Sequence, residues 1–65
     1  MLNLKVFNTR GELVRQLYRG KAWGNQMTLT WDGKDDHGNA MNSGIYLYRL
    51  ETADFVQTRK MLLSK

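Results

Sequence analysis

Leu2, Leu4 and Val6 alternate with Asn3, Lys5 and Phe7, the period-2 pattern of a half-buried strand. Asn8 to Gly11 then reads as a hairpin turn, with Gly11 suited to a left-handed position. The return strand is expected over 12–18. Leu13, Val14, Leu17 and Tyr18 break the alternation, which predicts a bulge or an edge position. A helix would also pair Leu13 with Leu17 and Val14 with Tyr18, but the stretch between Gly11 and Gly20 is too short to hold one. Gly20 to Asn25 is a loop carrying Trp23, either folded onto the core edge or offered as a stacking platform. Residues 26–31 alternate again, placing Met27, Leu29 and Trp31 on a core face and Gln26, Thr28 and Thr30 in solvent.

The clearest strand spans 45–52. Its Tyr46, Tyr48 and Leu50 are expected inward because Arg49 and Glu51, on the other face, must stay wet. Ala53 and Asp54 make a turn, and 55–63 returns with mixed alternation. The expected core is therefore Trp31, Tyr46, Tyr48 and Leu50. Between Trp31 and Ile45, Gly33, Gly38 and Gly44 allow positive φ, while Asp32, Asp35, Asp36, Asn39, Asn42 and Ser43 can bond nearby backbone N–H groups. Short strands at this spacing, without proline or a helical segment, argue an all-β chain: a small antiparallel β-sandwich.

Composition narrows this only a little. Sixty-five residues make a single domain, residues 1–65, that buries roughly 60% of its unfolded surface. With no cysteine there is neither a disulfide nor a thiolate, and no apolar run approaches the ~20 residues of a membrane helix. No signal peptide is visible, so an exported parent would carry its signal upstream. The net charge of +4 sits wholly in residues 1–31, while residues 32–65 balance five basic against five acidic residues. The basic residues of the first half are spaced singly and no nucleic-acid motif accompanies them, so they read as a solvated face.

Candidate chemistry is sparse. Asp32, Asp35, Asp36 and Asn39 form an oxygen-rich set that could hold calcium, but their spacing is not that of an EF-hand and no bidentate Glu follows. Turn formation accounts for the same residues. His37 is the single histidine, at a loop tip with no partner nucleophile. Asp35 and Asp36 point apart, unlike a glycosidase pair. The reading is a non-enzyme without a cofactor.

Trp31-Asp32-Gly33, Asp35-Asp36, Gly38, Ser43-Gly44, Tyr46 and Tyr48-Arg49-Leu50 resemble the signature of two related immunoglobulin-like families. Val6-Phe7-Asn8, Gly11, Val14-Arg15 and Leu17 extend the likeness to the preceding hairpin. One family is the C-terminal sorting domain of the type IX secretion system. The other is the Ig-like domain of the flagellar hook-capping protein. The resemblance implies an Ig-like sandwich lacking its first strands, a fragment of a larger protein. As a sorting signal it would carry a passenger across the outer membrane to the cell surface or medium, by way of the periplasm. Thr58, Arg59, Lys60 and Lys65 would then be the end read by the secretion machinery. The alternatives are a structural assembly domain of the hook-capping kind, or an accessory domain of a surface polysaccharide-active enzyme. Strands missing before Leu2 would leave an open edge and uncovered core. The expected remedy is a homodimer or larger oligomer through the N-terminal strands.

Overall fold

A computed structural model of the chain describes residues 1–21 and 30–64. Its strands are β1 (Leu2–Phe7), β2 (Leu13–Gly20), β3 (Gly44–Glu51) and β4 (Val56–Leu63), with no helix among the described residues. They form one antiparallel sheet in the order β2-β1-β3-β4. The fold is all-β and antiparallel, in keeping with a small Ig-like domain. The first strand is not at an edge among the described residues. It lies inside the sheet, paired with β2 on one side and with β3 on the other.

Alternation decides which face is apolar. In register, Leu4 lies opposite Leu50 and Val6 opposite Tyr48, so the inward set of β1 shares a face with that of β3. Tyr46 lies opposite Met61, and Gly44 opposite Leu63, which carries the same face onto β4. Val6 is fully buried, and Val14 and Tyr46 join it at 8% exposure. A valine buried to that degree stabilises the chain by roughly 1.5–3 kcal/mol.

The broken alternation of the second strand has a structural cause. Between Leu4 and Lys5 the partner on β2 skips from Tyr18 to Gln16, and between Val6 and Phe7 it skips from Arg15 to Leu13. Leu17 and Val14 are the residues skipped. Val14 packs in the core with Val6, and Leu17 lines a cleft with Leu2 and Leu4. Two bulges in one strand thus place on one face two apolar residues that strict alternation would have sent to opposite faces. The strand also runs on to Gly20, which pairs with Leu2, past the expected end at residue 18.

Among the described residues the second layer is the segment 30–43. Its Trp31 and Met41 pack against Val6, Val14 and Tyr46. The Trp31 ring stands edge-on to Tyr46, with centroids 5.1 Å apart and planes at 69°. Trp31 does this from irregular chain, not from the strand expected over 26–31. Met27 and Leu29 of that expected strand, and Trp23 before it, lie outside the described residues. Of the other expected core residues, Tyr46 is buried, whereas Tyr48 and Leu50 are half-buried and line the cleft.

The opposite face is polar but not fully wet. Lys5 Nζ lies 3.0 Å from Glu51 Oε1, and Arg49 Nε 3.0 Å from Glu51 Oε2. The Arg49 guanidinium covers the Phe7 ring at 4.5 Å. Arg49 and Glu51 are therefore half-buried against β1 and not projected into water as their charge suggests.

Both short turns close through side-chain oxygens. Asn8 Oδ1 accepts from the N–H groups of Arg10 and Glu12, while the Asn8 N–H donates to the Glu12 carbonyl. Gly11 sits at φ 83°, where a side chain would be strained. At the other turn Thr52 Oγ1 accepts from the N–H groups of Asp54 and Phe55.

Candidate functional site

The loop from Asp32 to Ser43 carries three of the chain's six acidic side chains, and each of the three has a backbone partner. Asp32 Oδ1 accepts from the Lys34 N–H at 3.0 Å. Asp35 Oδ1 accepts from the N–H groups of His37 and Asn39, at 2.9 and 2.8 Å. Asn39 Nδ2 also donates to Asp35 Oδ2. The Asn39 N–H bond, followed by those of the Asn39 side chain and the His37 N–H, holds the Asp35 carboxyl below its usual range against an opposing cost of burial. Lys34 and Ala40 form a bridge, and the Met41 N–H donates to the Gly33 carbonyl. These bonds make the loop a small structure of its own.

Arg15 fixes the loop to the sheet. Its Nη1 lies 3.1 Å from Asp32 Oδ1 and donates to the carbonyls of Lys34 and Asp35 at 3.2 and 3.5 Å. Its Nε lies 3.8 Å from Asp36 Oδ1. The Trp31 indole N–H donates to the same Lys34 carbonyl at 2.9 Å, tying the loop to the core aromatic pair. The sequence places Arg15 among singly spaced basic residues. Nothing local in the sequence shows that it meets the loop carboxylates of Asp32 and Asp36.

Asp36 completes the attachment. Its N–H donates to the Val14 carbonyl at 3.1 Å, and its carboxylate accepts the Gln16 N–H at 3.1 Å. Those are backbone groups of β2, an edge strand of the sheet. The loop therefore pairs with part of that edge and takes the place of a neighbouring strand.

The calcium candidates Asp32, Asp35, Asp36 and Asn39 do not converge on a common point. Asp32 and Asp36 turn to Arg15 and β2, while Asp35 and Asn39 face each other. Among the described residues no three His, Asp or Glu groups come together as a metal would require. His37 is exposed beside a shallow cleft that also involves Asp36, Glu12 and Met41. A second cleft, of about 330 Å³, is apolar and lined by Leu2, Leu4, Leu17, Trp31, Leu50 and Met61 among others. Thr58, Arg59 and Lys60 are exposed on β4, and Lys65 lies outside the described residues.

The family model described as the FlgD Ig-like domain matches residues 1–54. The chain belongs to that family. The FlgD Ig-like match takes in β1, β2, the acidic loop and β3, and stops short of β4. It is the hook-capping one of the two resembled families, a family of structural Ig-like domains. Neither a curated protein nor a solved structure matches the chain.

Proposed function

We propose that the chain is a structural assembly module, a domain that holds a larger protein in a multi-subunit structure and performs no chemistry. The match of residues 1–54 to the FlgD Ig-like domain carries this reading. The geometry supports it, because Asp32, Asp35 and Asp36 are committed to backbone and to Arg15, leaving none poised for proton transfer. This assembly role replaces the sorting role as the main reading, since Thr58, Arg59, Lys60 and Lys65 all lie beyond the matched residues.

Deleting the module from its parent protein separates the two roles. The assembly reading expects the parent to be exported as before and to fail to join its subunits, scored by sedimentation of the assembled structure. A deletion that traps the parent in the periplasm would overturn it in favour of a sorting signal.

A further inference from the structure

We infer that the outer edge of β4 is a docking site for an extended acidic segment of a partner protein, which adds to the sheet as a fifth strand. The inference rests on the assembly reading and names the surface through which assembly would occur.

The strand has the features of an edge ready to be paired. It is eight residues long, contains no proline, and keeps an unbroken register with β3 from Gly44↔Leu63 to Glu51↔Val56. No bulge twists it away, and among the described residues nothing pairs with its outer side. Every second residue of an edge strand points both its N–H and its C=O outward, so about half of its backbone groups await partners. Val56 and Leu62 are 61% and 73% exposed, although both are apolar. The other edge of the sheet is closed by Asp36 and broken by two bulges.

Charge selects the occupant. Residues 55–64 contain Arg59 and Lys60 and no acidic residue. Neither makes an ion pair among the described residues. Being adjacent in a strand, they point to opposite faces. A second copy pairing antiparallel must set residues of one face opposite each other, so near full overlap either Arg59 meets Arg59 or Lys60 meets Lys60. Like charges directly opposite disfavour that pairing. A partner strand with two consecutive carboxylates answers both cations, one on each face. Apolar residues flanking those carboxylates would cover Val56 and Leu62.

The test is a nuclear magnetic resonance titration of the ¹⁵N-labelled chain with the peptide acetyl-Thr-Val-Thr-Glu-Glu-Thr-Thr-Val-amide. Amide shifts are expected in β4 and its neighbour β3. Affinity should fall by about tenfold or more when the two glutamates become lysines, and likewise when alternate peptide nitrogens are methylated. The R59E/K60E double variant changes exposed side chains only, so its dispersed spectrum should persist while its preference switches to the lysine peptide. Shifts centred on the cleft of Leu4 and Leu50, no shifts at all, or affinity indifferent to charge would each overturn the proposal. So would concentration-dependent protection of β4 amides in the chain alone, which would make a second copy the occupant. A peptide that binds β4 in a module whose deletion spares assembly would sink the assembly reading and leave the docking edge standing. Assembly that survives R59E/K60E but not deletion of the module would do the reverse.

Discussion

The two edges of this sheet meet the same physical problem in different ways. Any edge strand exposes unpaired backbone donors and acceptors. At β2 the problem is solved within the chain: two bulges break the ladder, Asp36 bonds Val14 and Gln16, and Arg15 holds the loop that brings Asp36 there. At β4 the register is continuous, and among the described residues no loop pairs with its outer side, which carries two exposed cations. The same loop that closes one edge lies within the family match, whereas the open strand lies outside it. An Ig-like module of this kind can be finished on one side and available on the other.

Opening the closed edge should have the largest effect. Arg15→Ala removes one side chain that serves Asp32, the carbonyls of Lys34 and Asp35, and Asp36. The expected loss is roughly 2–3 kcal/mol, the scale of charge-assisted hydrogen bonds left unmade. In a domain this small that lowers the melting temperature by ~10–20 °C. Amide exchange should quicken at Gln16 and leave the β3–β4 ladder comparatively slow. Equal quickening on both edges would show that Arg15 supports the whole core and not β2 in particular.

Gly33→Ala probes the place where the loop meets the far end of β4. Gly33 adopts φ 78°, and a Cβ there would sit 3.3 Å from Leu63 Cδ1. Backbone strain alone costs about 1–2 kcal/mol for a residue forced left-handed. The flexible Leu63 side chain can yield to the contact, so strain should dominate the loss. Thermal unfolding of the alanine variant checks the value, and Leu63→Ala in the same background should recover little of it.

How much of this contrast could be read from the chain differs from part to part. The inward sets Leu2, Leu4, Val6 and Tyr46, Tyr48, Leu50 were legible because strand alternation is a local property. The disorder of the pattern at Leu13 to Tyr18 announced a bulge, yet not that there would be two, nor that Val14 and Leu17 would be the residues turned inward. Arg15 was not legible, because its partners lie 17 to 21 positions away and one well-placed arginine resembles any solvated one. Arg49 and Glu51 were misread for a similar reason: pairing with each other and with Lys5, together with the Phe7 ring, lets charged groups stay half-buried. The edges themselves were hidden, since local patterns find strands but do not order them. The order β2-β1-β3-β4, with the first strand inside the sheet, is set by pairings between residues far apart in the chain.

Acid should separate the edges more gently. The N–H bond from Asn39, with those of its side chain and of His37, lowers the pKa of Asp35, and the Lys5 hydrogen bond, aided by Arg49, lowers that of Glu51. A carboxylate lowered in the folded state adds stability that is fully present above its unfolded value. That contribution is lost as the pH falls through the folded value. Stability should therefore be level near neutrality and decline below the ordinary carboxylate range. Asp35→Asn and Glu51→Gln should each flatten the decline in a series of urea melts. Exchange at the loop and β2 should rise before exchange at β4, because Asp35 organises the loop that closes that edge.

The smallest effect should come from the open edge itself. Arg59→Ser and Lys60→Ser alter exposed side chains with no ion pair among the described residues. Each should move stability by less than about 0.5 kcal/mol, within the usual range for surface substitutions. What should change instead is colloidal behaviour. Among the described residues, the eight-residue edge with exposed Val56 and Leu62 has these two charges and no covering loop, and lysine on an edge strand discourages pairing between identical copies. The double serine variant should keep its melting temperature and gain a tendency to self-associate, read by light scattering at raised concentration. At β2 the corresponding removal of charge, Arg15→Ala, should unfold the chain before it aggregates. If the serine pair stays monomeric, the charges are not what keeps β4 apart, and the difference between the edges would have to come from the backbone alone.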